Sequence, residues 1–399
     1  MRPVLLPAYT MASCLGHGLE ATRAAMRDGR SGLAPCRFET VDLDTFVGEI
    51  PGVDAQRLPA HLARFDCRNN RAAELGLAQD GFLDAVEAAA RRHGRDRVGV
   101  FMGTSTAGIL QTELAYRRRD ADGALPADFD YRHTHNSYSI AEYVRERCGL
   151  AGPCAAISTA CSSSAKAFAS ATRLMEAGVI DAAVLGGVDT LCLTTLYGFN
   201  SLQLLSPQPC RPYDASRDGI SIGEAAAFFL LERAPDGASP DAMALLGTGE
   251  SCDAYHMSSP HPEGLGARMA MQAALDSAGI GADLIDYVNL HGTGTPSNDA
   301  AEDKAIGAIF GKRVPVNSTK GMTGHALGAA GAAEALISVL AVRDGVMPGS
   351  PGTRELDPQL HARYEVAGGE SALRRVMSNS FGFGGSNCSL VFGRLRDAA

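Results

Sequence analysis

Short apolar runs rich in β-formers alternate along this chain with longer stretches whose apolar residues recur at helical spacing. The runs 97–102, 182–187, 226–231, 287–290 and 388–392 read as strands. The stretches 78–92, 162–177, 265–278 and 326–343 read as helices. This alternation predicts an α/β protein with a mostly parallel sheet covered by helices. Residues 234–241, running Ala234-Pro235-Asp236-Gly237-Ala238-Ser239-Pro240-Asp241, are polar and full of chain breakers, so the chain divides there into 1–240 and 241–399. The two sides share a plan. On the first, a loop ending in Thr159-Ala160-Cys161 opens a helix; on the second, Asn317-Ser318-Thr319-Lys320 leads through Gly324-His325 into an Ala/Gly-rich helix. Like topologies would bring both helix openings to a shared seam.

Composition narrows the class. A chain of 399 residues with 45% hydrophobic and 20% charged residues is globular and long enough for two domains or one large α/β unit. The formal charge of −9 argues against general affinity for nucleic acid, while leaving room for a local basic patch. None of the 10 cysteines pairs with another at C-x2–4-C spacing, so no zinc knuckle, other metal site or redox pair is readable. They fit scattered small apolar residues of a reducing, cytoplasmic compartment. No signal peptide and no membrane span are predicted.

The candidate chemistry begins at Cys161, in Ser158-Thr159-Ala160-Cys161-Ser162-Ser163-Ser164. Helical spacing downstream puts it at or just before a first turn, where free N–H groups and the helix dipole favour the thiolate. His291 follows a strand, in His291-Gly292-Thr293-Gly294-Thr295-Pro296, where ligands of parallel sheets gather. The run Lys320-Gly321-Met322-Thr323-Gly324-His325 adds a lysine and a second histidine. Phe381 and Phe383 sit on a loop hinged by Gly382, Gly384 and Gly385, which suits a mobile hydrophobic gate. No G-x-G-x-x-G or H-E-x-x-H arrangement competes with this set.

Together these segments resemble the β-ketoacyl-acyl-carrier-protein synthases of the type I and II branch, in family order and spacing. Arg211-Pro212-Tyr213-Asp214, Arg217-Asp218-Gly219 and Asp253-Ala254-Tyr255-His256-Met257 also fit. The resemblance implies the thiolase fold, a five-layered αβαβα sandwich of two similar halves, and a homodimer or a dimer with a related ketosynthase-like subunit. It implies an acyl group carried as a thioester on Cys161, condensed with malonyl-acyl-carrier protein after loss of carbon dioxide. No cofactor is bound; the phosphopantetheine of the carrier protein is the substrate arm. By the same likeness, His291 and His325 stabilise the enolate, and the N–H groups of Cys161 and Phe383 form the oxyanion hole. Lys320 pairs with Glu302, with Asp299 as a further support. Thr293 and Thr295 bind pantetheine, Phe381 lies beside the substrate, and Thr106 lies where the acyl channel meets the dimer seam.

The chain also departs from the family. The connection Pro207-Gln208-Pro209-Cys210 is short, and Gln203 replaces a basic residue of type II relatives. Arg64, Arg68 and Arg71, or Arg117-Arg118-Arg119, are the alternative cations for docking a carrier protein. These differences point to a specialised polyene or polyketide-like pathway. A thiolase would need a second basic cysteine, and neither Cys252 nor Cys388 lies in a suitable glycine motif. Type III synthases use Cys, His and Asn, which the lysine–histidine run contradicts. A chain-length factor generally lacks the nucleophile, so this chain is expected to be the catalytic subunit, alone or beside such a partner.

Overall fold

The computed structural model describes residues 1–398. In the first half lie β1 (Val4–Ser13), β2 (Val98–Gly103), β3 (Cys154–Ile157), β4 (Ala182–Asp189) and β5 (Ala225–Arg233), in the spatial order β3-β2-β4-β5-β1. The second half holds β6 (Met243–Cys252), β7 (Tyr287–Asn289), β8 (Pro315–Asn317), β9 (Arg375–Phe381) and β10 (Ser386–Arg394), in the order β8-β7-β9-β10-β6. The two orders are the same when the strands are matched in sequence. In each half the first three strands of the order run parallel, and the fourth is antiparallel to both its neighbours. The sheet is therefore mixed rather than mostly parallel. β1 and β6 join the halves through a short antiparallel pairing, Val4 with Leu245 and Leu5 with Ala244.

The helices fall into three layers around these two sheet regions. On the outer face of the first lie α1 (Arg68–Leu77), α2 (Phe82–His93) and α3 (Ser139–Arg147). Between the regions lie α4 (Ser163–Glu176) and, after α5 (Leu265–Ala278) and α6 (Pro296–Phe310), the long α7 (Ala330–Asp344). α5 covers β6 and β10 on the far side, with α6 against it. This is the αβαβα sandwich. β2 and β4 are buried at every position, as expected of strands covered on both faces. Every residue of α7 from Ala330 to Val342 is buried, so the helix is covered on all sides, Glu334 and Ser338 included.

Several elements differ from the sequence reading for local reasons. The stretch 78–92 starts as a helix only at Phe82, because Asp80 and Gly81 take left-handed φ of 54° and 68°. Asp80 there accepts hydrogen bonds from Thr10 and from the Leu19 amide. β1 escapes a pattern search because it contains Pro7 and a register shift between Leu5 and Ala8. β6 escapes because Gly247 and Gly249 interrupt it; a Cβ on Gly249 would lie 2.1 Å from the Ala270 carbonyl of α5. The glycine that weakens the strand signal is what lets the helix pack.

Candidate active site

The loop before α4 carries Cys161 with its side chain buried and turned to the seam. Ala160 takes a left-handed φ of 52°, and the surrounding hydroxyls fasten that bend. Ser162 Oγ donates to the Thr159 carbonyl at 2.9 Å, Ser163 Oγ to the Ala160 carbonyl, and the Thr159 amide to Ser163 Oγ at 2.9 Å. Ser164 Oγ accepts from the Ala332 amide of α7. The serines thus build the loop and lock it to the other half rather than leaving open space. Cys161 itself stands just ahead of the first turn of α4.

From the second half, the run after β8 brings His325 against the thiol: its Nε2 lies 3.1 Å from Cys161 Sγ. The Leu327 amide donates to His325 Nδ1 at 3.1 Å, so in the neutral ring the proton sits on Nε2, facing the sulfur. His291, just beyond the end of β7, is edge-on to His325 with ring centroids 5.4 Å apart. The thiol and one ring nitrogen from each histidine lie within 4.8 Å of one another. Lys320 is fully buried; its Nζ donates to the His291 carbonyl and lies 3.4 Å from His291 Nδ1. That arrangement leaves the His291 Nε2–H free to face the pocket.

Burial dominates the electrostatics. It lowers both imidazoles well below their ordinary range, with Lys320 pushing the same way, so both are neutral near pH 7. It pushes the Cys161 thiol up to about 11, against the pull of Lys320 and the amides of Phe383 and Cys161 itself. Against the thiolate preference expected at the helix opening, desolvation outweighs Lys320 and the amide donors. The resting thiol is protonated.

Lys320 does not pair with Glu302. Its carboxylate partner is Glu334, on α7, which burial raises to about 7. Glu302 instead accepts from the amides of His291 and Gly292, both at 2.8 Å, and from the Tyr213 hydroxyl at 3.1 Å. Glu302 holds the backbone of the histidine loop, and Asp299 holds the next turn by accepting from the amides of Tyr213 and Gly294. Glu334 was not singled out in the sequence. Its signal is a lone acid within the all-buried stretch of α7, nine residues beyond His325.

A pocket leads from this cluster to the surface. Its walls carry Phe199, Leu204, Ile220, Phe381 and Phe383, with Thr293, Thr295, Ser258, Ser259 and Asn298 along its polar side. Phe199, Leu204, Ile220 and the two serines were missed, since nothing local marks a residue that reaches a distant pocket. Thr293 and Thr295 share a hydrogen bond of 2.8 Å. Phe383 lies 5.8 Å from Phe199 between centroids, on a loop whose Gly384 and Gly385 take φ of 78° and 76°.

Two expectations are reshaped here. Thr106 is buried and is not among the residues lining this pocket; its Oγ1 and its amide both donate to buried Asp189, at 2.6 and 2.7 Å. The arginines are mostly engaged by neighbouring groups, and Arg68 is withdrawn from the surface. Arg68 is buried and bound by Glu224, Asp54 and Glu49; Arg64 pairs with Glu146 and Arg71 with Asp66. Arg118 pairs with Asp128, Arg117 bonds Thr40, and Arg119 stacks on Tyr116.

Comparison with known proteins agrees with this layout. Residues 1–237 match the β-ketoacyl synthase N-terminal domain, and residues 243–354 the C-terminal domain. The chain is 33% identical to a 3-oxoacyl-[acyl-carrier-protein] synthase 2 of Vibrio cholerae, over 99% of each protein. It is 34% identical to nodulation protein E of Rhizobium meliloti, over 92% of this chain and 93% of that one. A chain from the complex of a ketosynthase with its chain length factor, from Xenorhabdus doucetiae, superposes with a TM-score of 0.89 at 38% identity and 98% coverage of each. A sandwich of two like halves, with a thiol and two imidazoles at their seam, defines the class of thiolase-fold condensing enzymes. Within that class, this chain belongs to the β-ketoacyl synthase family.

Proposed function

We propose that the chain condenses an acyl group held on Cys161 with a malonyl thioester, both delivered on the phosphopantetheine arm of an acyl carrier protein. The observation that carries this reading is the 3.1 Å approach of His325 Nε2 to Cys161 Sγ, with a second neutral imidazole beside it. In the first step the sulfur attacks the acyl thioester carbonyl, the bond to the pantetheine sulfur breaks, and the thiol proton leaves with that sulfur. The amides of Cys161 and Phe383 both face the sulfur, where they can receive the charge of the tetrahedral intermediate. Removing one such preorganised donor typically costs about 3–4 kcal/mol.

In the second step the malonyl carbon–carboxyl bond breaks and carbon dioxide departs, leaving its electron pair as an enolate. The two Nε2–H groups donate to the enolate oxygen. Neutral histidines are suited to this role, since neither must lose or gain a proton. The enolate carbon then attacks the Cys161 thioester, the carbon–sulfur bond breaks, and the sulfur leaves as thiolate. Its raised pKa returns it to the thiol by taking one proton from solvent. Lys320, Glu334 and Glu302 act through the histidines.

Gln203 in place of a basic residue, the short 207–210 connection and the 38% identity to a chain from a ketosynthase solved with its chain length factor support a specialised pathway of the polyene or polyketide kind. β3 is a sheet edge paired only to β2 among the described residues and is half-buried throughout. Such an edge invites a covering strand, and a second copy or a related ketosynthase-like subunit would supply it. No helix among the described residues is long and apolar enough to cross a membrane. Intact-mass analysis after incubation with acyl-carrier proteins of varied chain length tests the reading. A single acyl adduct, lost in Cys161→Ala, is expected. Acylation elsewhere, or none with any carrier, would overturn it.

A further inference from the structure

Asp189 ends β4 behind the reactive cluster and is fully buried, yet it joins no ion pair with lysine or arginine among the described residues. Its carboxylate is held entirely by neutral donors. On one side these are Thr104 Oγ1 at 2.8 Å, the Ser105 amide at 2.9 Å, and the Thr106 amide and hydroxyl. On the other side, across the seam, the Ala329 amide donates at 3.0 Å. A carboxylate bridging the two halves in this way is costly to bury and is stable only with all its donors in place.

Both arms lead to the reacting atoms. Ser105 Oγ lies 3.5 Å from the carbonyl of Ala160, the residue before the nucleophile. Ala329 closes the turn Leu327–Ala329, whose first residue donates its amide to His325 Nδ1. That turn is strained, with Leu327 at a left-handed φ of 50°. It lies so tightly on Asp189 that a Cβ on Gly328 would come within 2.8 Å of Oδ2 and within 2.8 Å of the Ser105 amide. We infer that Asp189 is a positioning residue: by clamping this turn against the 104–106 loop, it sets the spacing of Cys161 and His325 and keeps the His325 proton on Nε2. If the turn relaxed, Nδ1 would lose its donor and the ring could present a lone pair where the enolate needs a hydrogen.

The effect on turnover rests on the condensing reading above; the effect on the thiol does not. In Asp189→Asn the amide NH2 must face one of the N–H donors, so at least one arm is released. Gly328→Ala attacks the same clamp from the turn side. Three quantities are read on each folded variant: kcat and KM for malonyl-carrier decarboxylation, and the pH profile of Cys161 alkylation by iodoacetamide without substrate. A displacement near 1 Å can cost on the order of a hundredfold in rate, so kcat should fall roughly ten- to a hundredfold while KM stays within about twofold. The alkylation profile should change shape in both variants, and the double variant should lose less than the product of the single losses. Should Asp189→Asn fail to fold, Gly328→Ala carries the same test. Unchanged kcat and an unchanged profile in the folded variants overturn the proposal. So does a loss that scales every rate with the folded fraction at all pH values. A shifted profile in a protein whose wild type condenses nothing would support the clamp while refuting the condensing reading.

Discussion

Removing the Glu334 carboxylate should separate what stabilises this fold from what makes it react. Lys320 and Glu334 are both essentially inaccessible, and Lys320 has no other carboxylate within bonding distance. Leaving one member of a buried pair unpaired typically costs about 3–5 kcal/mol. At about 2.1 cal/mol/K per residue, unfolding of 399 residues carries close to 0.84 kcal/mol/K of entropy, so that loss corresponds to a fall of about 4–6 °C in Tm. Glu334→Gln should show this fall by calorimetry. Replacing both partners, as Lys320→Met with Glu334→Leu, removes the uncompensated charge and should recover most of the stability, since apolar replacements of buried pairs are often neutral. The double variant should nonetheless remain poor in malonyl decarboxylation, because His291 Nδ1 and carbonyl have lost the ammonium that orients them. If the double variant melts no higher than the singles, or if it decarboxylates at the wild-type rate, the assignment of Lys320 to Glu334 and to His291 is wrong.

Other outcomes follow from the same geometry. Alkylation of Cys161 in the wild type should rise about tenfold per pH unit from 7 to 9 without levelling, since burial raises the thiol to about 11; a plateau by pH 8 would contradict that burial effect. The sign is that of an acid with a raised pKa, whose ionised form is disfavoured in the fold, so ionisation above pH 9 should lower stability progressively toward pH 11. Arg68→Ala should lower Tm and reduce activity equally with carrier-bound and small thioester substrates, because it strands three carboxylates rather than baring a docking site; a loss confined to carrier-bound substrates would restore it to the docking surface. Thr106→Phe should fail for acyl chains of every length, because the side chain it replaces is buried on Asp189; activity retained with short chains alone would put Thr106 back in the acyl channel.

What was legible in the sequence depended on whether a feature was local. Strands such as β4 and β5 read clearly because both faces are covered, giving unbroken apolar runs. Cys161, His291, Lys320 and His325 stood out because each sits in a run of small residues that shapes its own loop. The pairing of Lys320 was not legible, since Glu302 and Glu334 both lie on helices nearby and only the fold decides which one reaches the ammonium. Arg68 misled for the opposite reason: Glu224, which neutralises it, lies 156 residues away. Desolvation of the thiol was likewise invisible, because a helix opening shows in the sequence and the lid of the opposite half does not.

The most direct test of the account is carbon dioxide release from radiolabelled malonyl-carrier protein by Cys161→Ala, His291→Ala and His325→Ala, each also assayed for acylation by intact mass. The account predicts that Cys161→Ala takes no acyl group yet still releases carbon dioxide. It predicts that each histidine variant keeps its acyl adduct and loses release on the order of a hundredfold, as expected when one preorganised donor to the developing charge is removed. Undiminished release from both histidine variants would contradict it.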